Sequence, residues 1–403
     1  MRSYESLNDH ASEAHIRIVF IIGILLIAAN LRAPMIAIGP LLPTIQDRLL
    51  LSNAMLGSVT TIPLLLFALL SPFAPRLAVR FGVERVILVA LSIIAIGTFL
   101  RIAPSFTFLI SGTAFIGIGI AIGNVLLPGI IKQHFPQSIG LMTGIYAITM
   151  NLAAAIASGI AEPLASRSLD WNGALGVFGL LAVLAAAMWG LYMWQSKSSQ
   201  SVARQPSAFR SNEMLRSPLT WCVTIFMGIQ SLQYYTTMTW LPQMLQESGY
   251  SPATAGVMLA LMQTAIVPMT FIIPVLAGKL KDQRWLGAFV GITFLLAITL
   301  FYLELWLPLA AIIMGIACGS GFGLAMMLFA LRTHSGNEAS KLSGLAQSVG
   351  YLLAAFGPIA FGMLYDIAGQ WQTPLLVLLL LAIVLTIVGY ISGKGYVTKE
   401  ENV

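Results

Sequence analysis

Long apolar stretches separated by short polar breaks run through the whole of this 403-residue chain. About twelve of them approach the ~20 residues that an α-helix needs to cross a bilayer. Inside lipid, the backbone polar groups of such a stretch must be satisfied within a helix. Their approximate bounds are 18–41, 52–73, 84–103, 106–131, 138–161, 172–194, 218–242, 253–278, 285–304, 307–331, 340–364 and 373–392. The sequence therefore predicts an all-α polytopic membrane protein with twelve transmembrane helices.

Composition agrees with this prediction. Apolar residues make up 58% of the chain and charged residues only 9%, against roughly 25% charged residues in soluble domains. The net charge of +6 would suit a nucleic-acid partner, but the basic residues are spread over many short loops, so we expect none. Cys222 and Cys318 lie within apolar stretches and form no motif, and the four histidines lie in or beside polar breaks. No metal site or cofactor is predicted.

The positions of the basic residues predict the orientation of the chain. If the N-terminus is cytoplasmic, the outer loops hold only Arg48, Arg101 and Arg167, and the other loop and tail residues of this type fall inside. This bias follows the positive-inside rule and predicts that both termini are cytoplasmic. The first apolar stretch is too long for a signal-peptide core, so we expect an uncleaved first helix.

A single sizeable hydrophilic segment, 195–216, has the composition of a linker. It divides the chain into two predicted six-helix bundles, 1–194 and 217–403. Residues in different loops recur between the halves at one constant spacing: Leu42, Pro43, Ser52 and Gly57 recur as Leu241, Pro242, Ser251 and Gly256. Repeated halves around a midplane site are typical of transporters that work by alternating access.

Arg32 is the only charged residue in the middle of an apolar stretch. A charge at the bilayer centre costs at least ~2.5–3.5 kcal/mol, so it usually faces a cavity or a partner. Pro34 has no N–H, so the carbonyl of Asn30 loses its helical donor and a bend is expected at Arg32. Arg32 is then a candidate substrate-binding residue, because its planar fork suits a carboxylate, cyanate or nitro group. The alternative is a structural arginine that binds carbonyls of neighbouring helices.

Polar side chains on other spans form a second group of candidates. Gln230, Gln233 and Tyr234 share one face of the seventh span, and Ser343, Gln347 and Tyr351 follow one another at four-residue spacing on the eleventh. The predicted substrate-contacting residues on these and other spans are Asn124, Tyr146, Gln230, Gln233, Tyr234, Gln347 and Tyr351, with Asn151 a weaker candidate. The alternative is hydrogen bonding between helices, worth about 0.6 kcal/mol on average.

Acidic residues are absent from the middle of the predicted spans. Proton-coupled carriers commonly use buried carboxylates as relays, and the nearest candidate here is Glu162, just before Pro163. There is no phosphate-binding loop of the Walker type and no catalytic constellation. An enzyme is therefore not expected.

Several strings narrow the resemblance to a family. They are Asn30-Leu-Arg32, Gly123 to Gly129 with Lys132, Trp240-Leu-Pro242, Lys281-Asp-Gln-Arg284 and Leu342 to Tyr351. Together with the six-plus-six layout they resemble the cyanate-permease and 2-nitroimidazole-transporter branch of the major facilitator superfamily. The resemblance covers nearly the whole chain. It implies a major facilitator fold with two pseudo-symmetric six-helix halves.

The same resemblance implies a gating role for three residues. The family carries a Gly-x-Leu-x-x-Asp-type loop between its second and third helices, but here Val79 stands where the acid is expected. The equivalent loop of the second half keeps the pattern better, with Asp282 followed by Arg284. The predicted gating residues are therefore Arg80, Asp282 and Arg284, with Asp282 carrying more of the role.

Taken together, these features predict a secondary transporter of the bacterial inner membrane that works by alternating access and binds its solute through Arg32. The resemblance implies export of a 2-nitroimidazole-type solute, with cyanate or another small organic anion as the alternative. A multidrug–proton antiporter is less favoured because no mid-membrane carboxylate is present. A non-transporting sensor would append a soluble signalling domain, for which neither terminus has the length. The expected partners are a small-molecule substrate and membrane lipids, and we expect a monomer.

Overall fold

The computed structural model describes residues 2–51, 53–197 and 211–398. A short 3₁₀ turn at Gly39–Leu41 and a π-helical turn at Ala165–Leu169 accompany its α-helices. In chain order the helices are α1 (Arg2–Asn30), α2 (Ala33–Ile36), α3 (Leu42–Leu49), α4 (Asn53–Leu70), α5 (Ala74–Phe81), α6 (Val83–Leu100), α7 (Phe106–His134), α8 (Ile139–Leu164), α9 (Asp170–Lys197), α10 (Ser211–Arg216), α11 (Pro218–Glu247), α12 (Pro252–Lys279), α13 (Arg284–Tyr302), α14 (Leu307–Leu331), α15 (Gly336–Ala368) and α16 (Gln372–Ser392).

Each of the twelve apolar stretches is helical: α1 and α2 share the first, each of the other eleven contains one long helix, and the short helices α3, α5 and α10 lie between them. In the part of the chain that the structure describes, ten helical segments are long and apolar enough to cross a membrane. An eleventh candidate joins Thr61–Leu70 of α4 to α5 across a bend of 54°. The remaining predicted span corresponds to α11, which is 30 residues long but carries several polar side chains. The predicted all-α, twelve-span class is confirmed.

The chain forms two compact units. The first consists of Met1–Leu66, Arg76–Leu127 and Thr149–Ala208, and the second of Phe67–Pro75, Pro128–Ile148 and Phe209–Val403. The second unit thus takes in two segments from the first half of the sequence. The division into 1–194 and 217–403 stays a prediction, and residues 198–210 of the predicted linker lie outside the described part of the chain.

Small residues allow close helix packing in the first unit. A Cβ added at Gly97 of α6 would lie 2.6 Å from the carbonyl oxygen of Gly112 on α7, so these two backbones touch. Close backbone approach at small residues is a main source of helix association in lipid, where burial of apolar surface gives little advantage. A buried core of the same unit surrounds α2 and α3 and includes Ala33, Leu41 and Ala161.

The second unit contains an equally close contact between α13 and α16. A Cβ added at Gly287 would lie 2.0 Å from the carbonyl oxygen of Gly389. No side chain fits there without moving one helix, because the nearest atoms on the α16 side all belong to the backbone of Gly389. This contact brings α13 and α16 together along their buried faces.

The Gly287 contact can be tested by adding one methyl group. We expect Gly287→Ala to lower the melting temperature of the detergent-solubilised protein, because overpacking of this kind costs about 1–3 kcal/mol. Gly190→Ala on α9 is the matched control, since a Cβ there meets no atom within 4 Å. Circular dichroism during heating measures both variants. Equal melting temperatures for the two would contradict the contact.

Candidate functional site

The first long helix is broken at Arg32, as Pro34 predicts. α1 ends at Asn30 and α2 starts at Ala33, and between them Arg32 has φ −135° and ψ −41°. The amides of Met35 and Ile36 donate to the carbonyl of Arg32 at 3.1 and 3.0 Å, which restarts the helix on the far side of the break. The break arises because Pro34 has no N–H to offer the preceding turn.

The Arg32 side chain lies at this break and is half-buried. Its Nη1 donates a hydrogen bond to Oδ1 of Asn151, a buried residue on α8. Because the amide of Asn151 is neutral, this bond orients the guanidinium without neutralising its charge. The first unit therefore brings Arg32 and Asn151 together.

Asn30 ties the same break to α9. Its Nδ2 donates to the carbonyl of Leu26 at 2.8 Å and to the carbonyl of Leu181 at 3.2 Å. Its Oδ1 is buried and has no hydrogen-bond partner within the described residues. Asn124, a predicted contact residue of the same unit, is half-buried on α7.

Arg101 is a further residue at the break that the sequence did not single out. Its guanidinium Nη1 donates to the carbonyl oxygen of Pro34 at 2.7 Å, and the side chain is fully buried. Counting loop charges placed Arg101 in an outer loop, because it follows the end of α6. No signal in the sequence pairs it with Pro34, since the two are far apart along the chain.

Six predicted contact residues lie in the second unit, three of them on α8 and α15 and three on α11. Tyr146 is buried, and its hydroxyl has no hydrogen-bond partner in the part of the chain that the structure describes. It lies within electrostatic range of Tyr351. The Tyr351 ring packs against Phe67, with 5.1 Å between ring centroids. Gln347 donates through Nε2 to the hydroxyl of Ser343 at 2.7 Å. α8 and α15 therefore place Tyr146 and Tyr351 near each other.

The polar face of α11 contacts neighbouring helices. Gln233 is buried and donates through Nε2 to the carbonyl of Leu378 on α16 at 3.3 Å. Gln230 is also buried, and its side chain packs beside Gly321 of α14. The hydrogen bond of Gln233 joins two helices, whereas Nε2 of Gln230 donates within α11, to the hydroxyl of Ser231 at 2.7 Å. Their contact with a substrate stays a prediction.

Tyr234 is the more accessible member of this α11 group. It is half-buried, and its ring packs edge-on against that of Tyr235, with 5.0 Å between centroids. Such a pair presents aromatic surface together with two hydroxyl groups. A planar aromatic solute suits that combination.

The predicted gating residues make local contacts. Arg284 donates from Nε to both carboxylate oxygens of Asp282 at 3.1 and 2.9 Å, and from its backbone N–H to Oδ1 at 3.0 Å. These hydrogen bonds lower the pKa of Asp282 to about 2. Arg80 is exposed and lies over the ring of its neighbour Phe81. Their role in gating stays a prediction.

Lys132 bonds residues far from it along the chain, a contact that the sequence did not predict. Its Nζ donates to the carbonyls of Ala330, at 2.5 Å, and Thr333 at the C-terminal end of α14. A cation is favoured there because the last carbonyls of a helix carry partial negative charge. Segment 128–148 of the first sequence half is thereby held to α14 of the second half, within the second unit.

Glycines bring the same segment close to other helices of the second unit. A Cβ added at Gly129 would lie 2.5 Å from the carbonyl oxygen of Gly336 on α15. A Cβ added at Gly140 would lie 2.5 Å from the carbonyl oxygen of Pro274 on α12. At these two glycines the backbones of neighbouring helices are in contact, and this end of the second unit is called its closed end below. The sequence shows Gly129 followed by Lys132, which could have indicated a close helix contact, but this spacing does not tell which residues they contact.

Buried Arg332 connects this closed end to the C-terminal segment. Its Nη1 donates to the carbonyl of Gly395 at 3.1 Å, its Nη2 donates to the side-chain oxygen of Gln283, and its carbonyl accepts from the amide of Val397 at 2.8 Å. Burial lowers the pKa of the Arg332 guanidinium. The loop that supplies the Thr333 carbonyl to Lys132 is therefore fixed on two sides.

Comparison with known proteins identifies the family. A sequence model of the Major Facilitator Superfamily matches residues 19–354. The chain belongs to this superfamily. It is 41% identical to the 2-nitroimidazole transporter of Escherichia coli K12, over 94% of this chain and 96% of the relative. It is 25% identical to the cyanate transport protein CynX of Escherichia coli K12, over 86% of this chain and 90% of the relative.

The fold of this major facilitator protein has a solved counterpart. A structure of the proton:xylose symporter XylE, bound to 6-bromo-6-deoxy-D-glucose, aligns over 95% of both chains with a TM-score of 0.73 at 12% identity. At that identity the match shows the fold alone. Membership of the superfamily makes the chain a multi-pass membrane transporter of a small molecule, not an enzyme.

The Lys132 contact predicts the behaviour of the closed end. A charge-assisted hydrogen bond contributes about 1.5–3 kcal/mol, so Lys132→Ala shifts opening of this end by at least about tenfold. Cysteine alkylation at Ser340→Cys, which faces Gly129, reports that opening once Cys222 and Cys318 are replaced. We expect Lys132→Ala to speed alkylation about tenfold.

Two variants control this measurement. Lys132→Arg keeps the charge and is expected to react close to the wild-type rate. Lys279→Ala removes an exposed lysine at the end of α12 and is expected to change nothing. Unchanged alkylation in Lys132→Ala would show that the lysine does not hold this end closed.

Proposed function

We propose that this chain is a secondary transporter that exports a 2-nitroimidazole-type solute by alternating access. The observation that carries the proposal is the half-buried Arg32 at a break in the first long helix, held by a neutral amide. A relative named for 2-nitroimidazole transport is similar along nearly the whole chain, which supports the choice of solute.

The chemistry of the solute suits Arg32. A nitro group presents two oxygens in one plane, and the guanidinium offers two parallel N–H donors in a matching fork. Asn151 accepts from Nη1 and so fixes the direction of the fork. Aromatic packing from Tyr234 or Tyr235, predicted from the sequence, is retained as part of the proposal. Contacts from Asn124, Tyr146, Gln230, Gln233, Gln347 and Tyr351 remain part of the proposal.

The proposal also covers the localisation, orientation, gating residues and oligomeric state of the transporter. The basic loop residues support a bacterial inner-membrane protein with both termini cytoplasmic. Lys132 closes one end of the second unit, and Arg80, Asp282 and Arg284 are retained as further gating residues. We expect the protein to act as a monomer among membrane lipids. The side chain of Glu162, the nearest candidate for an ion relay, lies outside the described part of the structure.

Cyanate or another small organic anion is the second candidate. A guanidinium binds such an anion directly, and a more distant relative is named for cyanate transport. The nitroimidazole solute is favoured over it because the relative named for 2-nitroimidazole transport is 41% identical to this chain, against 25% for the relative named for cyanate transport.

Cellular accumulation of a labelled 2-nitroimidazole tests the function. Cells that express the wild type are expected to accumulate less label than empty cells. Arg32→Ala is expected to lose at least about tenfold in export rate, because charge-assisted bonds contribute about 1.5–3 kcal/mol. Arg32→Lys is expected to lose less, since it keeps the charge but not the fork.

Arg85→Ala, which removes an exposed arginine at the start of α6, is the matched control and is expected to export normally. Equal accumulation in wild-type and empty cells would contradict nitroimidazole export, and labelled cyanate would then be measured. Normal export by Arg32→Ala at wild-type expression would leave Arg32 a structural role only.

A further inference from the structure

Arg101 is a buried cation whose hydrogen-bond partners among the described residues are neutral groups. Its side chain is 1% exposed. Nη1 donates to the carbonyl of Pro34 at 2.7 Å, while Nε and Nη2 donate to the hydroxyl of Thr113 at 3.2 and 2.8 Å. Within the described residues no acidic side chain forms an ion pair with it. Since removing a guanidinium from water is costly, this placement calls for a compensating role.

The closely packed helices α6 and α7 surround the Arg101 side chain. A Cβ added at Gly112 would lie 2.9 Å from Cγ of Arg101 and 2.4 Å from the carbonyl oxygen of Gly97. Thr113 donates its own hydroxyl proton to the carbonyl of Leu109 at 2.7 Å. Its oxygen lone pairs are therefore left to accept from the guanidinium. Nη1, the third nitrogen of the guanidinium, donates to the carbonyl of Pro34.

The acceptor of this bond belongs to the segment that carries Arg32. α2 is only four residues long, and a helix of that length has no stability of its own. It therefore depends on contacts from outside. Because Met35 and Ile36 of α2 donate to the carbonyl of Arg32, whatever fixes α2 also fixes the backbone from which the Arg32 side chain extends.

We propose that Arg101 is a positioning residue for substrate binding. Through the Pro34 carbonyl it holds α2 in place, and α2 fixes the backbone position from which the Arg32 guanidinium reaches Asn151. The substrate part of this proposal rests on the proposed function of Arg32. The structural part does not, since it concerns only the Arg101–Pro34 bond.

Hydrogen–deuterium exchange tests the structural part without any substrate. In Arg101→Leu we expect the amides of Met35 and Ile36 to exchange about tenfold faster than in the wild type, because α2 loses its outside contact. Thr113→Val keeps the volume of the side chain but misaligns Arg101, and is expected to give a smaller increase. Arg101→Lys, which can still reach a carbonyl, is expected to rescue part of the protection.

Thr98→Val is the matched control. Thr98 is a buried threonine on α6 whose hydroxyl bonds its own helix at Ile94. We expect no change in exchange at Met35 and Ile36 for this variant. The proposal is overturned if exchange at Met35 and Ile36 is unchanged in all three variants: Arg101→Leu, Arg101→Lys and Thr113→Val. If Arg101→Leu does not fold, the exchange rates of Thr113→Val and Arg101→Lys decide whether Arg101 holds α2.

Transport kinetics test the substrate part. A misdirected Arg32 weakens binding, so Arg101→Leu is expected to raise the KM for 2-nitroimidazole about tenfold while the maximal rate per expressed molecule stays near wild type. A merely structural loss would lower the maximal rate and leave KM unchanged, which overturns the proposal.

A double-mutant comparison ties the effect to Arg32. In an Arg32→Lys background, Arg101→Leu is expected to raise KM less than threefold, because the fork that it positions is already gone. A full tenfold rise in that background would mean that Arg101 acts independently of Arg32. Failure of nitroimidazole export altogether would count against the proposed function, and the exchange result would still decide the role of Arg101 at α2.

Discussion

One missing backbone donor shapes the candidate site. Pro34 has no N–H, so the first long helix stops at Asn30 and resumes at Ala33. A broken helix inside a membrane exposes polar backbone groups that must be satisfied by protein. Here Arg101 supplies one of the donors, and Asn30 ties the end of α1 to α9. The break is kept because side chains from other helices support it, and it is where Arg32 leaves the helical backbone.

Two buried arginines and one half-buried lysine share a mode of stabilisation. Arg101, Lys132 and Arg332 all donate to backbone carbonyls, mostly at helix ends or breaks. Carbonyl oxygens there lack helical donors and carry partial negative charge. Cations held this way need no carboxylate, which is consistent with the absence of acidic residues from the middle of the spans. Arg32 differs in that its partner is a side-chain amide, so its direction depends on two helices at once.

Much of the fold was readable from the pattern of apolar stretches, since each of the twelve corresponds to a helix. The break at Arg32 was also predictable, because a proline acts on its own preceding turn. The partners of Arg101 and Lys132 were not, because each lies far along the chain and is a backbone carbonyl, which every residue has. For the same reason the spacing of Gln230 and Gln233 shows that they share one face of α11, but periodicity cannot say whether a helix or a solute meets that face.

The sequence by itself determined the local physics of this protein: which segments are helical and apolar, where the first helix breaks, and which cation stands at the break. These depend on residues within a turn or two of each other. The tertiary structure alone decided which groups satisfy the broken backbone, which side chain directs Arg32, and which carbonyls Lys132 caps. Those choices depend on how closely helix backbones approach at Gly97, Gly112 and Gly129, and that approach is a property of packed helices rather than of any one segment.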